Sequence, residues 1–73
     1  MAMRSYALVG ELLLADGTTY TRLATYAAPD MEAALRRAAE IVARWRGERI
    51  PARPHAMVRD IIEVQVGADA GSP

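Results

Sequence analysis

The chain has 73 residues, no cysteine and a formal net charge of zero. A chain of this length is one small domain that buries only ~60% of its unfolded surface. The missing cysteines exclude disulfides and thiolate metal sites, and zero net charge supplies no global field toward nucleic acid or an anionic membrane.

Hydrophobic residues make up 52% of the chain, but 15 of them are alanine, while Leu, Ile and Val together number only 15 and Phe is absent. The core is therefore thin, and self-association is a natural way to bury more surface. All nine basic residues are arginine, which beside abundant alanine is a composition associated with GC-rich bacterial or phage genes. The N-terminal run MAMRSYALVGELLLA is interrupted by Gly10 and Glu11 and precedes no small-residue cleavage site. Neither a signal peptide nor a membrane span is read from it, and a cytoplasmic location is expected.

Residues 4–15 and 18–27 are extended runs rich in Leu, Val, Thr and Tyr around Asp16-Gly17, a hairpin signal. Two closures fit. A two-residue loop sets Leu12 against Thr21 and Glu11 against Arg22. A three-residue loop of Ala15, Asp16 and Gly17 sets Leu12 against Tyr20, Gly10 against Arg22 and Leu8 against Ala24, and the one-residue difference flips the second strand. The three-residue loop sorts the side chains better. It puts Tyr6, Leu8, Leu12, Leu14, Tyr20, Ala24 and Tyr26 on one face, with Arg22 lying in the room left by Gly10.

The segment PDMEAALRRAAEIVARWRG reads as a helix. Pro29 suits its first position, Asp30 and Glu32 suit the positive end of its dipole, and Gly47 suits its stop. Met31, Ala34, Leu35, Ala38, Ile41, Val42 and Trp45 form its apolar face, and Glu32, Arg36, Glu40, Arg44 and Glu48 form a solvated ladder of alternating sign. ERIPARPHAM, with two prolines and no periodicity, reads as an irregular connection. Residues 58–66 alternate as a third strand, with Ile62, Val64 and Val66 on one side and Ile61, Glu63 and Gln65 on the other.

The expected fold is therefore α+β, a single β-β-α-β domain over 1–67 with a disordered tail over 68–73. Its three-stranded antiparallel sheet has the order 2-1-3, and one helix packs on one face. The other face is left bare. On it Val9, Leu13, Leu23 and Ile61 form an apolar group among threonines, the expected protein interface.

Catalytic chemistry is poorly supplied. His55 is the only histidine and stands in a proline-containing loop, no Gly-rich phosphate loop is present, and no carboxylate pair has acid-base spacing. No catalytic residue, cofactor or metal site is assigned. Arg44, Arg46, Arg49 and Arg53, near Trp45, are the one local electrostatic signal and candidate contacts for an anionic partner. The leading expectation is a non-enzymatic interaction module that self-associates, as a dimer, through its open sheet face or an edge strand. The alternative is a small nucleic-acid or nucleoprotein binder using the Arg44–Arg53 segment, such as a phage-encoded inhibitor of a bacterial defence complex.

Overall fold

The computed structural model describes residues 2–68. Strands β1 (Arg4–Leu14) and β2 (Thr19–Ala28) are followed by helix α1 (Met31–Trp45), a two-residue strand β3 (Arg49–Ile50) and a long strand β4 (Arg53–Ala68). All pair antiparallel in one sheet of order β2-β1-β4-β3. The α+β class, the single helix and the central position of β1 agree with the expectation. The sheet has four strands rather than three.

The β1–β2 loop holds three residues. Gly17 stands at φ +88°, where a side chain would strain the backbone. Its N–H donates to the Leu14 carbonyl at 2.9 Å, and the Leu14 N–H donates to that of Thr18 at 2.9 Å. The Asp16 carboxylate accepts from both the backbone N–H and the hydroxyl of Thr18, at 2.9 and 2.5 Å. The register follows from this closure: Leu12 faces Tyr20, Gly10 faces Arg22 and Leu8 faces Ala24.

Asp30 is the N-cap rather than a helical residue. Its carboxylate accepts from the Ala33 N–H at 2.8 Å, satisfying one of the donors a helix leaves free at its start. At the other end Gly47 takes φ +77°, in keeping with its reading as a stop. The apolar stripe of the helix is narrower than its sequence pattern. Ala34, Ala38 and Trp45 are buried and Ile41 and Val42 half-buried, whereas Met31 and Leu35 are 41% and 53% exposed. Among the charged residues, Glu32 pairs with Arg36 at 3.3 Å as expected, but Glu40 pairs with Arg37 at 3.5 Å. Glu48 lies beyond the helix and meets Arg22.

Two corrections concern the C-terminal half. The segment read as an irregular connection is a hairpin, with β3 pairing back onto the start of β4 around Pro51 and Ala52. Its prolines are tolerated for local reasons. Pro51 lies in the turn, and Pro54 lies where the pairing steps from Ile50 opposite Arg53 to Arg49 opposite Met57, an irregular stretch in which a missing N–H costs no ladder bond. The strand expected over 58–66 thus runs from Arg53 to Ala68. Ala68 belongs to it rather than to the tail, and residues 69–73 of the expected tail lie outside the described residues.

The second correction is Ile61. The β1–β4 pairing shifts between Glu11 and Leu12, so that Glu11 faces Glu63 while Leu12 faces Ile61. Ile62 is the extra residue of this bulge. The shift turns Ile61 to the helix side, where it packs against the main core cluster, and leaves Ile62 51% exposed. Ile61 is not part of the open face.

The core is built on Leu8, Leu12 and Leu14 of β1, with Ala38, Trp45, Ile50, Ala56 and Val58 around them. A smaller cluster of Tyr6, Ala28 and Ala34 holds the first half of the helix. There Tyr26 stacks on Tyr6 with centroids 6.2 Å apart and donates its hydroxyl to the Ala34 carbonyl at 2.6 Å. Burial, and then the neighbouring Tyr6, push the Tyr26 phenol above its ordinary pKa.

The space left by Gly10 is filled by Trp45 rather than by Arg22. A Cβ at position 10 would lie 2.5 Å from the indole Cζ3. The Arg22 guanidinium lies over the same ring, 5.5 Å from its centroid, and its Nη1 donates to Glu48 Oε2 at 3.0 Å. Gly10→Ala should therefore destabilise the fold by about 1–3 kcal/mol through overpacking. Urea unfolding measures the loss, and the single tryptophan supplies a second readout, since displacing the indole shifts its emission to the red. An unchanged midpoint and spectrum would show that the ring does not rest on Gly10.

A pH effect follows from the turn. The hydrogen bonds from Thr18 hold the exposed Asp16 carboxyl below its ordinary pKa of 3.8. A depressed folded pKa gives stability that is present above the unfolded value and lost as the pH falls through the folded one. Acidification below about pH 4 should weaken the wild type more than Asp16→Asn, as compared by urea midpoints across the acid range.

Candidate interaction surfaces

Helix α1 covers one side of the sheet, and the pleat sends alternate residues to the other. From β2 these are Thr19, Thr21, Leu23 and Thr25, and from β1 they are Ala7, Val9, Glu11 and Leu13. Along β4 they include Asp60, Glu63 and Gln65, facing Leu13, Glu11 and Val9. Of the four residues expected at the interface, the structure brings Val9, Leu13 and Leu23 to this face and takes Ile61 away.

The three do not form one patch. Val9 lies directly opposite Leu23, and both are exposed; Leu13 is half-buried and lies between Thr19 and Asp60. Between them runs the row Thr21, Glu11 and Glu63. The two carboxylates are direct cross-strand neighbours, and Glu63 accepts from Gln65 Nε2 at 2.9 Å. With Val9, Thr21 and Gln65 they line a shallow depression of about 200 Å³. The open face is thus acidic at its middle, with apolar ground on either side. The charge was visible in the sequence. Its pairing was not, because the bulge at Ile62 decides which β4 residue meets Glu11.

The arginine segment is dispersed over several elements. Arg44 lies in the last turn of α1, Arg46 is the C-cap, Arg49 is in β3 and Arg53 opens β4. Arg46 pairs with Asp60 at 3.3 Å, and Arg53 reaches the β1–β2 turn, 4.0 Å from the Asp16 carboxylate and 3.1 Å from the Thr18 hydroxyl. Trp45 is only 6% exposed and offers no ring for a base to stack on. His55 is exposed on β4, and no group of three His, Asp or Glu gathers among the described residues. No helix among them is long and apolar enough to cross a membrane.

The two sheet edges differ. Beside β3, β4 pairs only as far as Met57, so its outer side is open from Arg59 onward. That stretch carries Arg59, Asp60 and Glu63 and bulges at residues 59 and 62. The opposite edge, β2, pairs with β1 in unbroken register. It holds no proline or glycine, and its one charged residue is Arg22, whose side chain is folded inward onto Trp45 and only 16% exposed. Sequence reading had no means of ranking the edges, because it placed neither bulge. No family model, curated protein or solved structure matches the chain.

The like-charged pair Glu11–Glu63 opposes sheet formation. Glu11→Gln should raise stability by about 0.2–1 kcal/mol, measured by thermal or urea unfolding at neutral pH. A loss of stability in Glu11→Gln would show that the two carboxylates are held by a compensating cation.

Proposed function

We propose that the chain is a non-enzymatic interaction module that self-associates through its sheet. The observation that carries this reading is the bareness of one side of a one-helix protein, with Leu23 at 64% exposure beside an exposed Val9. The buried core is small, with Leu8, Leu12 and Leu14 of β1 joined by Tyr6, Trp45, Ile50, Val58 and a few alanines. An exposed apolar group of this kind on a small sheet favours association.

Leu23 serves either route, since it lies both on the open face and on the edge strand. The rival reading, an anionic partner at Arg44, Arg46, Arg49 and Arg53, has less support because Arg46 and Arg53 already meet carboxylates. Sedimentation velocity at micromolar concentration should find a dimer or larger species for the wild type, and a marked shift toward monomer for Leu23→Glu. A monomer at all concentrations up to about 0.5 mM, which bounds any association to weaker than about −4.5 kcal/mol, would overturn the self-association.

A further inference from the structure

We infer that the self-associating surface is the free edge of β2, which pairs antiparallel with β2 of a second copy about a two-fold axis at Leu23. This rests on the self-association proposed above and names its surface.

The backbone alternation fixes which groups are available. The Leu14 N–H donates to the Thr18 carbonyl, so the Leu14–Thr18 pair is of the hydrogen-bonded kind, and such pairs alternate along an antiparallel ladder. Tyr20, Arg22, Ala24 and Tyr26 therefore exchange their bonds with β1. Thr19, Thr21, Leu23, Thr25 and Ala27 turn their N–H and C=O groups to the open edge.

Natural edges are blunted by charges, prolines, bulges or a covering segment. The free part of β4 has charges and two bulges. β2 has no proline and no bulge among its ten residues, and its one charge, Arg22, is folded inward onto Trp45, so of the two edges it is the one open to a strand.

The occupant follows from register. A second β2 must set outward-turned residues against outward-turned residues, so the two-fold axis passes through a residue and not between two. Centring on Arg22 would bring two guanidiniums together, and centring on Ala24 would leave Leu23 against a threonine. Centring on Leu23 puts the most exposed large apolar side chain of the described residues against its own copy. It also sets Thr21 opposite Thr25 and Tyr20 opposite Tyr26 of the second copy, favourable cross-strand pairs. Every outward backbone group from Thr19 to Ala27 then finds a partner. The product is one continuous eight-stranded sheet with both helices on the same side.

The other route, face against face, has the charge against it. A two-fold packing of the open faces would crowd the Glu11–Glu63 pairs of both copies into a dry interface, where unpaired carboxylates are costly.

Hydrogen exchange on the full chain, read residue by residue at low and high concentration, tests the edge directly. The amides of Thr21, Leu23 and Thr25 should exchange at least about tenfold more slowly in the associated state, since each gains a ladder bond. The double substitution Thr21→Lys with Thr25→Lys should weaken association by about tenfold or more through like charges set directly opposite, with circular dichroism showing the fold retained. Leu13→Glu, on the face but off the edge, should leave association unchanged. If the chain dimerises while those three amides stay unprotected, or if Leu13→Glu abolishes dimerisation, the edge assignment fails and the self-association stands. If the chain remains monomeric, both fail.

Discussion

The seating of Trp45 on Gly10 is the contact on which the arrangement of helix and sheet depends. Gly10 is midway along the central strand, and the absence of its side chain lets the indole approach to where a Cβ would stand. That approach fixes the height of the helix's last turn above β1. It also explains a charged residue on the inner side of β2. Arg22, directly across from Gly10, lays its guanidinium over the ring and reaches Glu48 beyond the helix end. The interaction of cation and ring is favourable, and the carboxylate completes it, so one glycine, one tryptophan and one ion pair join β1, β2 and the exit from α1.

The rest of the helix is held more lightly. Ala33, Ala34 and Ala38 bring it close to the tyrosines and leucines below, and small side chains permit close approach but bury little area. Leu35 and Met31 stay largely in solvent, since the alanines between them and the sheet already fill the contact. A protein so constructed has limited stabilisation from its own interior and leaves one face of its sheet uncovered.

Which part of the sheet is left is decided by asymmetry between its edges. On the β4 side two bulges, a salt bridge from Arg46 to Asp60 and the short hairpin strand β3 interrupt the ladder. On the β2 side the ladder stops at a strand in unbroken register, where Thr19, Thr21 and Thr25 alternate about Leu23 on the open face. The open face between them is neither plainly apolar nor plainly solvated, because Glu11 and Glu63 stand opposite one another at its middle. The apolar residues Val9 and Leu23 lie toward β2, on the side where the edge is free.

The sequence by itself determined the α+β class and the presence of the hairpin and the helix, and it favoured the hairpin register that the structure shows; the helix starts at Met31, two residues after the Pro29 expected to open it. Each rests on short-range chemistry: Gly17 in a turn that needs positive φ, acidic residues at the helix start, a Gly47 that ends the helix, and a 3.6-residue apolar period. Only the tertiary structure decided what crosses between distant segments. Residues 49–57 contain two prolines, and nothing local in them reveals that they pair, because the pairing survives only where the turn and an irregular step absorb the missing N–H groups. Strict alternation along 58–66 assigned Ile61 to the open face; one extra residue opposite β1 reversed that assignment and set Glu63 against Glu11. The space beside Gly10 was legible, but its occupant was not. A glycine records that something approaches, and only the fold chooses between the arginine across the ladder and the tryptophan arriving from the helix.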